Sequence, residues 1–341
     1  MTNNYSIDQC HSTLMARKPL LSFDENSEFF SWREAIAEKL KALLGDTPEY
    51  TDPKFCVEWE KEHDCFKEYR FVFSSEEYVQ VPGHLWIPKN VPKPCPVVVC
   101  MQGHSTGMHI SMGKAYCEWD EQLINNGDED FARQTVAQGF AALVIEQRAF
   151  GERKSEIQMK ETPNAVTSCL HPTLTAFLLG RTMIGERVWD ISRAVDILEN
   201  FPEIDMERIG IVGQSGGGTA TYYAACLDPR FKVIMPSGCV CTFRDSITAM
   251  AHCACNYIPG IAKYMDMGDL AALIAPRKLI VVAGNDDPIF PISGVKEAYS
   301  TIEKIYAKVG AEENCRLVVG EGAHRFYADI SWPAFRELAD W

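Results

Sequence analysis

The sequence predicts an α/β protein with a mostly parallel central sheet and helices on both faces. From residue 96 onward, short apolar strands alternate with helical segments. That alternation is the pattern of crossover helices covering a parallel sheet. No 20–50-residue repeat and no Gly/Ser-rich or Pro-rich linker interrupts it, which excludes a solenoid or a string of separate modules. The third observation is capacity: 341 residues with 46% hydrophobic and 23% charged content can bury a sizeable core.

Taken in order, residues 29–44 carry Phe29, Trp32, Ile36, Leu40 and Leu43/Leu44 at helical spacing, with Gly45 as a stop. Residues 54–88 read as strands (FCVEWE, YRFVFSS, YVQVPGHLWIP) separated by charged turns. The main pattern follows with strands at 96–101, 140–146, 208–213, 231–236, 278–284 and 315–320. Helical segments lie at 128–138, 181–200, 217–227, 293–309 and near 331–339. Two connections, 102–127 and roughly 238–273, exceed the usual few residues and read as lids or binding loops. Trp86, Trp119 and Trp189 read as core.

Composition narrows the function. Lys+Arg 33 against Asp+Glu 47 leaves a formal charge of −14, which repels phosphate backbones and anionic lipid surfaces. Nucleic acid and membrane are therefore not expected as partners. Apolar stretches such as FAALVIE fall short of the ~20 residues of a membrane-spanning helix. Residues 1–20 show no apolar run after a basic start, and the 13 cysteines fit a reduced interior, so the expected location is cytoplasmic.

The sharpest chemical signal is Gly213-Gln214-Ser215-Gly216-Gly217, a G-x-S-x-G pattern between a buried strand and a helix. A strand that turns abruptly into a helix exposes the Ser hydroxyl, and small residues two before and two after relieve the crowding. A phosphate cradle is the competing reading, but Thr219 stands where a P-loop requires Lys. A serine nucleophile needs a base held in one tautomer by an acid. The strand at 278–284 runs into Asn285-Asp286-Asp287, and the strand at 315–320 into Glu321-Gly322-Ala323-His324. Ser215, the Asp pair and His324 would thus emerge together at the carboxyl edge of the sheet. Asp287 takes the register of the acid in G-x-x-D-x-x-x-P, and Asp286 reads as a turn residue or supporting acceptor.

These residues resemble the α/β-hydrolase superfamily, and within it the branch of acetyl-xylan esterases, cephalosporin-C deacetylases and dienelactone-hydrolase-like enzymes. The resemblance covers roughly 82–341 and is carried by VVVCMQGH, VIEQRAFGER, the segment ERVWDISRAVDILENFPEIDMERIGIVGQSGGG, VVAGNDDPIFP and EGAHRF. It implies an α/β-hydrolase fold with residues 1–81 as an N-terminal extension packed on a catalytic domain at 82–341. It also implies an oxyanion hole from the backbone N–H groups of Gly216 and His104. Many relatives carry His-Gly where Gln102-Gly103-His104 stands here, a departure at the oxyanion loop. The rings of His104 and His109 read as exposed, with lining of the substrate pocket, alongside Met108, as the alternative. Glu146 and Arg148 are expected to pair with Arg187 or Asp190 and brace the serine turn.

Cys239-x-Cys241 and His252-Cys253-x-Cys255 invite a zinc reading, but C-x-C spacing is poorer than C-x₂₋₄-C for chelation. No metal or cofactor is expected, and Cys255, Tyr257 and Ile258 are left as pocket candidates in the second insertion. The expected activity is hydrolysis of a small-molecule carboxylic ester with a short acyl group, through Ser215, His324 and Asp287. The alternatives are a serine peptidase of the acylaminoacyl or prolyl-oligopeptidase kind and a non-catalytic binding protein. Whether the chain forms a homo-oligomer is left open.

Overall fold

Nine strands form one sheet in the computed structural model, which describes residues 6–341. They are β1 (Cys56–Glu62), β2 (Phe66–Glu76), β3 (Val79–Pro88), β4 (Cys95–Met101), β5 (Ala141–Ile145), β6 (Ile204–Gln214), β7 (Phe231–Ser237), β8 (Lys278–Gly284) and β9 (Cys315–Gly320). Their spatial order is β1-β2-β3-β5-β4-β6-β7-β8-β9. From β5 to β9 all pairings are parallel, and the chain order reverses between β4 and β6.

The N-terminal strands join this sheet directly. β1, β2 and β3 form an antiparallel meander, and β3 pairs antiparallel with β5 through Gly83↔Ile145 to Trp86↔Ala142. Residues 81 and 82 both lie within β3, so the expected break between extension and core falls inside a hydrogen-bonded strand. β1 is the edge, and every residue of its CVEWEKE sequence is exposed. Its charged side chains discourage pairing with another chain.

Side-chain alternation splits the apolar strands between two cores. Val97, Val99 and Met101 of β4 face a core formed with the helices Phe29–Leu44, Met183–Ile197, Gly216–Leu227 and Ile292–Lys308. Val98 and Cys100 face the opposite core, with Phe131–Ala137 and Ala328–Ala339. Burial on both faces is why these strands read as continuous apolar runs. The helix Phe29–Leu44 buries Phe29, Trp32, Ile36, Leu40 and Leu44 as its spacing predicts, and the Glu28 carboxylate accepts the N–H groups of Phe30 and Ser31 at its start. Gly45 ends it at φ +93°, where a Cβ would sit 2.2 Å from the Gly180 carbonyl oxygen.

The sequence pattern missed five short helices: Asp8–Met15, Glu118–Asn125, Glu156–Glu161, Leu170–Leu178 and Ile261–Tyr264. Each is short and buries at most two side chains, so there is no apolar stripe for periodicity to detect. Two of them, Glu156–Glu161 and Leu170–Leu178, lie in a third long excursion between β5 and the helix Met183–Ile197. Among the three tryptophans, Trp86 is buried, Trp189 is half-buried with its N–H donating to the Ser75 carbonyl, and Trp119 is exposed. Trp119 departs from expectation because it sits on the one-sided helix Glu118–Asn125. No helix among the described residues is long and apolar enough to cross a membrane.

Candidate active site

Ser215 stands between the end of β6 and the helix Gly216–Leu227, with φ +54° and ψ −120°. That conformation strains a residue with a Cβ and is kept only where surrounding contacts enforce it. Here the contacts are backbone bonds: the Ser215 N–H donates to the Ser237 carbonyl at 2.8 Å, and the Ser215 carbonyl accepts from Thr219 N–H at 2.8 Å. The neighbouring glycines are sterically required. A Cβ on Gly213 would lie 2.5 Å from the Gly217 carbonyl oxygen, and one on Gly217 would lie 2.2 Å from that of Met101. The helix therefore approaches the end of β4 closely enough to bring the turn against the oxyanion-loop candidate.

The two other expected side chains meet across the ends of β8 and β9. His324 Nδ1 lies 2.7 Å from Asp287 Oδ2, while Asp287 Oδ1 accepts the N–H groups of Ile289 at 2.8 Å and Phe290 at 3.1 Å. Asp287 is buried and Asp286 is exposed, so the structure selects Asp287 as the histidine's partner. The Phe290 ring stacks on the imidazole at a centroid distance of 5.6 Å, and His252 packs edge-on against the same Phe290 ring at 5.3 Å. Burial first, then the nearby charges of His104 and His324, lowers the pKa of His252. The residue after β7 links both halves: Gly238 has φ +53°, and a Cβ there would lie 2.9 Å from His324 Cε1 and 2.8 Å from Gln214 Nε2. The serine turn and the His324–Asp287 pair thus share one rim.

On the other side of Ser215, the His104 imidazole lies over Gly216, where a Cβ would approach its Cε1 to 2.6 Å. Neither His104 nor His109 is exposed. The His104 ring is held between Gly216, Phe150 (centroids 5.3 Å apart) and Cys255 Sγ (3.2 Å from Nε2). His109 Nε2 pairs with the buried Asp120 at 3.1 Å, and its ring stacks on Tyr116. Met108 and His109 line a cavity of about 630 Å³ with Trp59, Arg70 and Lys114, and neither Ser215 nor His324 borders it. Tyr257 is exposed, its hydroxyl donating to the Ile247 carbonyl, and it borders with Ile258 a small cavity that also excludes Ser215. Cys255 is fully buried.

Two buried carboxyls support the loop before His104. Glu129 accepts the Gly103 N–H, and burial raises its pKa to about 8 against that hydrogen bond. Glu146 accepts from Gln102 Nε2 at 3.0 Å and from Met108 N–H, and burial raises it to about 7. It pairs with neither Arg187 nor Asp190, contrary to expectation, because the backbones of Gly107 and Gly151 enclose its carboxyl group. Arg148 does reach Asp190, with Nε and Nη2 both at 2.8 Å, and also Glu76 and Glu186. Burial works to raise Asp190, but the charges of Arg148 and Arg153 outweigh it and hold the group well below the usual carboxylate range. Sequence reasoning missed Glu129 entirely. It lies in the polar run NGDED, where nothing in the sequence separates it from the half-buried Asp128 and Asp130 on either side.

A family model described as the Abhydrolase family matches residues 4–308. The chain belongs to the Abhydrolase family. One curated relative, "Putative hydrolase YtaP" of Bacillus subtilis (strain 168), is 26% identical over 317 residues, covering 89% of this chain and 98% of its own. A crystal structure described as a "putative acetyl xylan esterase" from Bacteroides fragilis superposes with a TM-score of 0.75 at 16% identity, over 99% of this chain and 90% of that one. A glucuronoyl esterase from Solibacter usitatus gives 0.72 at 16% identity, over 95% and 97%. At such identities the structures establish a common fold, with β4 to β9 as the parallel sheet of an Abhydrolase-family member. Function has to be argued from the site itself.

Proposed function

We propose that this chain is a serine carboxylesterase in which Ser215 is the nucleophile, His324 the general base and Asp287 the acid that orients it. The observation that carries this reading is the 2.7 Å bond from His324 Nδ1 to a buried Asp287, on the same rim as a strained, glycine-flanked serine. Asp287 accepts from Nδ1, so the imidazole keeps Nε2 free to take the Ser215 proton as the hydroxyl attacks an ester carbonyl. Two further backbone donors fix Asp287 from behind, which keeps the ring orientation constant through the cycle.

The tetrahedral oxyanion is held by the N–H groups of Gly216 and His104. Gly216 opens a helix whose first-turn N–H groups have no partner inside the helix, and they point toward developing negative charge. His324 then gives its proton to the departing alcohol, and water activated by the same base releases the acid from Ser215. The acyl group is short, acetyl being the simplest case, and the alcohol is a sugar or another small hydroxyl compound. The names of the structurally similar carbohydrate esterases support that substrate class.

The test sets p-nitrophenyl acetate, acetylated sugars, a methyl glucuronoate ester and a dipeptide anilide side by side, with Ser215→Ala as the control and a fluorophosphonate probe as an active-site titrant. Turnover of acetyl esters that disappears with Ser215→Ala is expected. No turnover and no probe labelling of the wild type would remove the hydrolase assignment. Preference for the anilide would favour a peptidase, and preference for the glucuronoate would move the sugar to the acid side of the ester.

A further inference from the structure

Beside the His104 ring the fold assembles four side chains that are far apart in the sequence. His104 comes from the loop after β4, Cys169 from the segment leading into Leu170–Leu178, and Cys253 and Cys255 from the insertion after β7. Their ligand atoms all lie within 4.8 Å of one another. Cys253 and Cys255 sulfurs are 3.4 Å apart, and His104 Nε2 is 3.2 Å from Cys255 Sγ. Cys239 and Cys241, the other half of the dense cysteine stretch, lie elsewhere, against Gly218 and Pro291.

We propose that His104, Cys169, Cys253 and Cys255 form a tetrahedral Cys₃His site for a zinc-class divalent ion, which pins the oxyanion loop to the two insertions that face it. Zinc bonds of about 2.3 Å to sulfur and 2.0 Å to nitrogen give tetrahedral edges of roughly 3.8 Å between sulfurs and 3.5 Å between sulfur and nitrogen. The Cys253–Cys255 contact of 3.4 Å and the His104–Cys255 contact of 3.2 Å are each a few tenths of an ångström shorter than those edges, and the other ligand atoms lie within 4.8 Å of one another. The 3.4 Å between the Cys253 and Cys255 sulfurs is far longer than the ~2.05 Å of a disulfide, so these two thiols are not bonded to each other and remain available as ligands.

A second, independent observation is the charge beside it. Arg187 is fully buried and forms no ion pair with a carboxylate among the described residues. Its Nη1 donates to Cys255 Sγ at 3.4 Å, its Nη2 to Cys169 Sγ at 3.5 Å and to the Arg148 carbonyl at 2.9 Å, and the guanidinium lies 4.5 Å over the Phe150 ring. A buried cation requires a compensating anion. A divalent ion held by three thiolates and a neutral imidazole carries one net negative charge, which Arg187 cancels while it donates to two of the sulfurs. Spacing within one stretch argued against zinc because the second pair of ligands comes from His104 and Cys169, which only the fold brings near.

The site is distinct from the Ser215–His324–Asp287 group, and metal binding does not depend on the esterase reading. Only the consequence for the His104 N–H rests on that reading. The test is elemental analysis and X-ray absorption of the full chain purified without chelator, followed by chelator stripping and titration with Co²⁺. One zinc per chain with a three-sulfur, one-nitrogen shell is expected, and the stripped protein should take up one Co²⁺ with thiolate-to-metal charge-transfer absorption. A Cys169→Ser/Cys253→Ser chain should lose the stoichiometric metal, whereas Cys117→Ser, at an exposed position, should keep it. Far-UV circular dichroism and a cooperative urea transition report whether each variant is folded. A wild-type chain that carries no metal and takes up no Co²⁺, a disulfide among the three cysteines in its place, or full metal retention by the double variant would each overturn the proposal. If the double variant does not fold, the wild-type stoichiometry and spectrum still decide it.

Discussion

Replacing Asp287 by Asn separates the orientation of His324 from the packing of its loop. The carboxylate presents one oxygen to His324 Nδ1 at 2.7 Å and the other to the N–H groups of Ile289 and Phe290. Asn is nearly isosteric, but only its carbonyl oxygen can accept those backbone donors. Its NH₂ must then face Nδ1, which forces the imidazole proton onto Nε2. That tautomer cannot accept the Ser215 proton, and the imidazolium loses its counter-charge. A wrong-tautomer substitution of this kind lowers kcat about 10⁴-fold, or roughly 5 kcal/mol of transition-state stabilisation. Stability should fall by only about 1–2 kcal/mol, because the loop's hydrogen bonds change from charge-assisted to neutral rather than disappearing. Steady-state hydrolysis of p-nitrophenyl acetate and urea unfolding measure the two effects on the same preparation. Asp286→Asn, at the exposed neighbour, should stay within about twofold of wild type. A folded Asp287→Asn chain with kcat within tenfold of wild type would refute the tautomer argument, and a large loss in Asp286→Asn instead would transfer the role.

Ser215→Gly should unfold at higher denaturant than Ser215→Ala, by about 1–2 kcal/mol, since glycine alone accepts φ +54° without strain. Equal midpoints would mean that the turn stores no strain. Gly217→Ala should cost about 1–3 kcal/mol, because its Cβ meets the Met101 and Gln102 carbonyl oxygens at 2.2 and 2.3 Å. The helix would have to back away from β4 and carry the Gly216 N–H with it, lowering kcat about 10²-fold, as measured with the acetyl substrate. Glu129 has its folded pKa raised from 4.5 to about 8, so the folded state holds a proton that the unfolded state releases. Its contribution is fully present below pH 4.5 and is lost as pH rises toward 8. Glu129→Gln should flatten that decline and raise the thermal midpoint relative to wild type above pH 8, and parallel pH profiles for the two proteins would contradict it.

Much of the site was readable from local pattern. The runs KLIVVAG and CRLVVG coincide with β8 and β9, and the glycines around Ser215 mark a turn whose crowding is set by neighbours a few residues away. The roles of the loop histidines and the second insertion were not readable. Met108, His109 and Tyr257 lie on the expected segments but face cavities that exclude Ser215, because a segment's position does not determine which way each side chain turns. Glu129 carries no local mark, and Arg187, read as a partner for a carboxylate, instead donates to sulfurs, since burial of a charged residue depends on what the rest of the chain lays over it.

The sequence by itself determined the alternation of strands and helices, the abrupt strand-to-helix turn at the serine and the Ser, Asp, His order along the carboxyl edge. All three follow from side-chain periodicity and glycine sterics, which act over a few residues. Only the tertiary structure decided that β1 to β3 extend the same sheet, that Glu129 turns inward to the Gly103 N–H, and that Cys169 and His104 join Cys253 and Cys255 beside Arg187. These outcomes depend on contacts between segments distant in the chain, and packing rather than local propensity sets which of those contacts form.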